Sequence, residues 1–250
     1  MSQLDAYRAS DTERLRTDDL IALMPASGRT AIDVGARDGH FSRLMAERFD
    51  RVTALDLTPP LFTHPGVDCL AGNATALPFP DRSFDLVFCA EVLEHIPSPA
   101  LAQACAELAR VCRKHLLIGV PFDQDIRVGR TTCSHCGGHN PPWGHVNRFD
   151  DARLNTLFPG FRPAQRSLVG QTRERTNAVS AWLMDRAGNP YGTYSQDEPC
   201  IHCGRAVGGP AARSLLQKLC TKAAFFCQQA QRPFVAARAN WIHLRFERAD

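Results

Sequence analysis

Two cysteine motifs share one spacing: Cys133-Ser-His-Cys136-Gly and Cys200-Ile-His-Cys203-Gly. A Cys-x-x-Cys turn places two thiolates on one metal ion, and the glycine after it permits the turn's backbone geometry. Two such turns supply the four sulfurs of a tetrahedral zinc site, which has no open position and is therefore structural. The 63 residues between the pairs exclude a compact finger, so an ion shared by Cys133, Cys136, Cys200 and Cys203 would clip distant parts of the chain. A redox dithiol and unconnected surface cysteines are the alternatives. His135, His139, His145 and His202 are competing ligands.

A second constellation lies earlier, in Ala31-Ile-Asp33-Val-Gly35-Ala-Arg37-Asp-Gly39-His-Phe. An apolar strand ends in two glycines four apart, which let the backbone turn sharply and approach a ligand where a Cβ would collide. Arg37 and His40 stand where the Gly-x-Gly-x-x-Gly dinucleotide fingerprint needs its second and third glycines, so a nicotinamide enzyme is disfavoured. Asp56 closes the next apolar run, 17 residues after Gly39. A carboxylate there can accept hydrogen bonds from both ribose hydroxyls of a nucleoside bound at the switch point of a βαβ unit.

Three further stretches accompany these: Ala71-Gly-Asn73-Ala74, Leu77-Pro-Phe-Pro-Asp81 with Ser83-Phe-Asp85, and Ala90-Glu91-Val-Leu-Glu94-His95-Ile96. As a set, residues 29–121 resemble class I S-adenosylmethionine-dependent methyltransferases, in the methyltransferase type 11 branch. The resemblance implies that Asp33, Gly35 and Gly39 surround the methionine part of the cofactor. It implies that Asp56 holds the ribose with Leu57 beside the adenine, that Asn73 and Ala74 meet the adenine edge, and that Ala90 and Glu91 line the pocket floor. The family usually has Asp where Asn73 stands; Asn still offers a carbonyl oxygen to the adenine amino group. Asp85 reads as a structural residue at a strand start, and Leu77-Pro-Phe as mostly core.

Methyl transfer is an in-line displacement from an activated sulfonium, so the protein chiefly aligns the acceptor and excludes water. A hydroxyl acceptor benefits from a general base, and His95 with Glu94 stands where one is expected; capping or packing of the loop is the other role for His95. The polar and aromatic stretch Asn140-Pro-Pro-Trp-Gly-His145-Val-Asn-Arg-Phe149 is an acceptor-recognition element or a packed loop, and His145 is a second candidate base.

The elements that must position these residues alternate regularly. Residues 11–24 read as a leading helix with Leu15, Leu20, Ile21 and Met24 to bury. Strands are predicted at 30–34, 52–57, 67–70, 84–89 and 115–120, with helices at 41–49 and 100–111. Strands at 161–169 and 241–247, and helices at 176–186 and 211–231, follow. The fold expected is α/β: a Rossmann-like seven-stranded, mostly parallel sheet with helices on both faces, plus a zinc-clipped insertion in the C-terminal half. The divisions are 1–28 (leading helix), 29–121 (cofactor-binding core), 122–210 (insertion with the knuckles and acceptor loop) and 211–250 (closing helix and strand of the core). A shared ion would then tie the insertion to the closing elements and hold the loop between over the pocket. Cys69, Cys89, Cys105, Cys112, Cys220 and Cys227 are expected to pack in the core.

The 29 basic and 26 acidic residues leave a net charge of only +3, no reason to expect strong attraction to nucleic acid or anionic lipid. The polar N-terminus lacks a signal peptide's apolar core and no apolar run spans a bilayer, so the ten cysteines are expected to be reduced, in the cytoplasm. No membrane partner is expected. The acceptor is expected to be a small molecule or glycan, methylated at oxygen. An RNA or protein methyltransferase docking its substrate through the knuckles, with Arg127, Arg130, Arg148, Arg153 and Arg162 as a basic face, is a second reading. A non-catalytic cofactor-binding module is a third.

Overall fold

A computed structural model describes residue 8 and residues 10–249 of the chain. Residues 1–7 and 9, which belong to the predicted leading segment 1–28, lie outside the described residues. The chain divides into two compact units: residues 1–122, 149–170 and 239–250, and residues 123–148 and 171–238.

The first unit is built on seven strands: β1 (Gly28–Val34), β2 (Phe49–Asp56), β3 (Val67–Ala71), β4 (Phe84–Ala90), β5 (Cys112–Pro121), β8 (Phe161–Val169) and β9 (Trp241–Arg248). Their order is β3-β2-β1-β4-β5-β9-β8. The first five are parallel, and β9 inserts antiparallel between β5 and β8. β4 sits at the centre with every side chain from Phe84 to Cys89 buried, which explains its apolar run Leu86–Cys89.

Alternation along the strands divides the core into two layers. Ile32, Val34, Val87, Cys89, Leu116 and Ile118 face α3 (Ser98–Val111) and α4 (Asp151–Leu157). Ala31, Leu86, Phe88 and Leu117 face α1 (Asp11–Leu23) and α2 (His40–Met45). Helices thus cover both faces, as expected. On α3 the buried residues Leu101, Ala104, Cys105, Leu108 and Val111 recur at helical spacing, and each large one contributes about 1.5–3 kcal/mol by leaving water. Asp85, at the start of β4, accepts from Arg29 N–H (2.9 Å) and Arg113 Nε (3.0 Å), which bears out its structural reading. Arg110 donates to the carbonyls of Leu77 and Phe79, so the Leu-Pro-Phe motif is an anchored turn with Leu77 in the core.

α1 departs from expectation. Its buried stripe is Glu13, Arg16, Leu20 and Leu23, whereas Leu15 is exposed. The ion pair between Glu13 and Arg16 lets two charged residues occupy the face that hydropathy assigns to leucine. Asp19 fastens the same helix to the sheet, accepting from Ser167 Oγ (2.5 Å) and meeting His243 Nδ1 at 2.6 Å.

The second unit holds the short strands β6 (Thr131–Thr132) and β7 (His139–Asn140) and the paired helices α5 (Ala178–Arg186) and α6 (Leu215–Gln231). Its buried apolar residues are small: Cys133, Ala181, Ala187, Cys200, Val207 and Ala224. Two boundaries therefore change. Residues 149–170 return to the core as a helix anchored by the buried Leu154 and a sheet strand, so 122–210 is not one insertion. The long helix α6 belongs to the second unit, so it does not close the core with β9. Cys220 and Cys227 on it are only half-buried, unlike Cys89, Cys105 and Cys112, and Cys69 on edge strand β3 is half-buried too. No helix among the described residues is long and apolar enough to cross a membrane.

Candidate functional site

Parallel pairing brings the C-terminal ends of four strands side by side: Val34 is level with Leu55 and Cys89, and Asp56 with Ala71. The residues singled out in the first unit all follow or end these strands, on one rim of the sheet. After β1 the chain turns through Gly35 (φ 86°) and Gly39 (φ 75°) into α2. A Cβ on Gly35 would lie 2.2 Å from Val92 Cγ2, and one on Gly39 would lie 1.9 Å from the Phe62 ring. Both positions admit only glycine.

Asp56, at the end of β2, accepts from the N–H of Arg37 (2.8 Å) and of Leu57 (2.7 Å). One bond ties it to the glycine turn, and its half-exposed carboxylate keeps lone pairs for a ligand. Leu57 is exposed beyond it. Asn73 differs from the sequence reading. Its Oδ1 already accepts from Thr75 N–H (3.0 Å) and Thr75 Oγ1 (2.9 Å), so what remains for a ligand is its amide NH2 donor. Ala74 beside it is buried.

Asp33 is buried at the end of β1 and accepts from Ser42 Oγ at 2.6 Å, which joins α2 to the strand. Burial pushes its carboxyl up, the Ser42 bond pulls it back, and the charge of Asp56 adds to the rise, leaving it at about 7 instead of 3.8. The folded chain thus holds this proton to higher pH than the unfolded chain. The associated stability is complete below about 3.8 and is lost as pH rises through about 7, up to roughly 4 kcal/mol. Asp33→Asn, which keeps the acceptor for Ser42, is expected to raise stability relative to the parent at pH 8 and leave it nearly unchanged near pH 4. Denaturant unfolding at both values checks this, and an equal difference at the two would contradict it.

Ala90 ends β4 and Glu91 follows it at φ 57°. Here the structure adds a residue that sequence reading missed. Arg16 of α1 is buried, pairs with both oxygens of Glu13 (2.8 and 2.6 Å), and brings Nη1 to 3.8 Å from Glu91. Its guanidinium lies 5.7 Å from the Phe41 ring and 5.8 Å from that of Trp241. The signal was present as Glu13 and Arg16 on the helical face of Leu20.

Of the candidate bases, Glu94 and His95 lie in the 3-10 turn Leu93–His95 after β4. Glu94 is fully buried and neither oxygen meets a donor from another residue. Burial and then the nearby Glu91 raise its pKa well above the carboxylate range, which favours the protonated acid. His95 is half-exposed. His145 belongs to the second unit, buried, with Nδ1 2.6 Å from Gln124 Oε1.

The four cysteines converge in the second unit. Cys133 Sγ lies 3.8 Å from Cys203 Sγ and Cys136 Sγ 3.7 Å from Cys200 Sγ, with all four sulfurs within 4.8 Å of one another. Sulfurs about 2.3 Å from a central zinc would form a tetrahedron with edges of about 3.8 Å. The knuckles match in detail: Gly137 N–H donates to Cys133 O and Gly204 N–H to Cys200 O, at φ 71° and 69°. Gly138 N–H points to Cys136 Sγ and His202 N–H to Cys200 Sγ, each at 3.4 Å. Asn140 Oδ1 joins the knuckles by accepting from Ile201 N–H at 2.9 Å. Both pairs lie within the second unit, so a shared ion would close that unit on itself and would not clip it to closing elements of the core.

Residues 32–117 match the sequence profile of the methyltransferase domain. A ubiquinone biosynthesis O-methyltransferase of Paracidovorax citrulli is 34% identical over 114 residues, covering 38% of this chain and 45% of that protein. A demethylmenaquinone methyltransferase of Renibacterium salmoninarum is 33% identical over 114 residues, covering 44% and 47%. The chain thus spans just under half the length of these curated relatives. In fold it is similar to the 1,6-didemethyltoxoflavin-N1-methyltransferase of Burkholderia thailandensis, with a TM-score of 0.56 at 16% identity, over 99% of this chain and 82% of that one. The profile match falls on the same stretch as the five parallel strands of the sheet, so residues 32–117 match a methyltransferase domain in both sequence profile and strand arrangement.

Proposed function

We propose that the chain is an S-adenosylmethionine-dependent methyltransferase that acts on a small-molecule or glycan acceptor at oxygen. The observation that carries the reading is the rim itself: a glycine-only turn after β1, hydrogen-bonded to an acid with spare lone pairs after β2. When bound, S-adenosylmethionine supplies a methyl group already activated on sulfur. In this reading Asp56 holds the ribose hydroxyls and Leu57 lies along the adenine. Asn73 donates its amide N–H to an adenine ring nitrogen, beside Ala74. Asp33, Gly35 and Gly39 enclose the methionine part, Ala90 and Glu91 form the floor, and Arg16 offers a buried cation to the cofactor's carboxylate. Acceptor chemistry at oxygen is supported by the names of the O-methyltransferase relatives. The four cysteines, in the same reading, hold one structural zinc, and reduced thiols fit a cytoplasmic protein.

The test is transfer of labelled methyl from the cofactor into fractionated extract, followed by identification of the product. A labelled small molecule or glycan supports the reading; label in RNA or protein, or cofactor binding without transfer, replaces it.

His95 is the proposed base, because burial disfavours the ionised form of Glu94. His95→Ala is expected to lower turnover by about two to four orders of magnitude with cofactor affinity unchanged. Unchanged turnover would return His95 to a loop-packing role and make His145 the next base to test.

A further inference from the structure

α6 is amphipathic the wrong way round for a helix of a closed core. Leu215, Leu219 and Phe226 lie within about 40° of one another around its axis. They are 76%, 53% and 76% exposed, and Leu216 beside them is 70% exposed. The opposite side, Thr221 and Ala224, is the buried one. That side is fixed to α5: Ser180 Oγ donates to Ala224 O (2.8 Å) and Asn177 Nδ2 to Cys227 O (3.3 Å). A capping box at Ser214 and Gln217 secures the helix start, so the outward leucines sit on a formed helix. Beyond its end, Phe234 is 87% exposed.

The charge around this face is one-sided. Residues 199–238 contain Arg205, Arg213, Lys218, Lys222, Arg232 and Arg238 and no Asp or Glu. The small net charge of the whole chain conceals this segment. Lys218 and Lys222 lie along one edge of the apolar stripe, are exposed, and make no ion pair among the described residues. From these observations we propose that α6 lies in the surface of an anionic membrane, its leucines and Phe226 in the acyl boundary and its lysines at the headgroups. An apolar stripe of Leu and Phe bordered by Lys is the composition of a helix that rests in the interface plane. Long lysine stems let the charges reach headgroups while the apolar side chains go deeper. The leucines argue against RNA as the occupant, since they have no π-face on which a base could stack. This departs from the expectation of no membrane partner, which rested on net charge and the lack of a span.

The experiment is sedimentation of the full chain with vesicles of equal parts phosphatidylglycerol and phosphatidylcholine, compared with vesicles of phosphatidylcholine alone. Binding is expected only to the anionic vesicles, falling as salt rises. Lys218→Gln/Lys222→Gln is expected to weaken it about 25-fold. Leu219→Ser/Phe226→Ser is expected to weaken it at least about tenfold. All four side chains are exposed, so the variants should melt with the parent, and a shared melting temperature separates lost docking from lost fold. Absence of binding to anionic vesicles, or equal binding by the variants, overturns the proposal. So does a lipid-free dimer that Phe226→Ser dissociates, which would make the face a contact between copies. Retention of an RNA oligonucleotide without vesicle binding, or protection of Phe226 from labelling in the isolated chain, overturns it as well.

Discussion

Cys200→Ser/Cys203→Ser is expected to abolish metal binding and unfold the second unit, while the sheet unit keeps its structure. The reason lies in what each unit buries. The sheet has two layers of large side chains, including Phe88, Leu108, Leu116 and Phe246. The second unit buries no Leu, Ile, Met, Phe or Trp among its described residues; its small apolar cluster is Cys133, Cys200 and Val207, with Tyr194 against it. Hydrogen bonds such as those of Asp125 to Arg127 and Thr176 fix its shape, but each contributes only about 0.5–1.5 kcal/mol net, or about 1.5–3 where charged. A structural zinc contributes about 10–16 kcal/mol in small peptides, more than such a unit can replace. One zinc per chain is expected in protein purified without chelator, and none in the double variant. Hydrogen exchange should rise throughout 123–148 and 171–238 and stay low in β1, β4 and β5. Metal well below one per chain, or metal retained by the variant, would mean that the knuckles share no ion.

The contrast between the units also explains which features could be read in advance. Parallel strands buried on both faces leave apolar runs such as Leu86–Cys89, so the strands and the glycine turn after β1 were visible. The two late strands were visible too, but linear order hid that β8 rejoins the core from within the second unit's stretch. Helical periodicity reports that Leu215, Leu219 and Phe226 share a face; it does not report what covers that face, which the structure leaves exposed. α1 misled, because a paired Glu13 and Arg16 can be buried where Leu15 is not. At Asn73 the hydroxyl two residues on captured the carbonyl oxygen that a family comparison assigned to the adenine. Each miss concerns a partner distant in sequence or a local hydrogen bond that composition does not register.

Asp56→Ala is expected to weaken S-adenosylmethionine binding by about 1.5–3 kcal/mol, and Gly35→Val to reduce it below detection. The aspartate's effect is electrostatic: an ionised acceptor for two hydroxyls is lost, and charge-assisted bonds of this kind contribute about that much. Its native bonds go to two backbone N–H groups on an exposed rim, where water can replace the carboxylate, so the fold should persist. The glycine's effect is steric. At φ 86° a valine is strained, and its Cβ would displace Val92, whose side chain braces the turn on which Gly39 and Arg37 also depend. Because that displacement could reach the sheet, thermal melts of both variants belong beside the calorimetry. Asp56→Ala, melting with the parent and binding weakly, would locate the loss in the site and not in folding. Near-native affinity in a folded Asp56→Ala would remove Asp56 from the ribose and with it the placement of the cofactor along this rim.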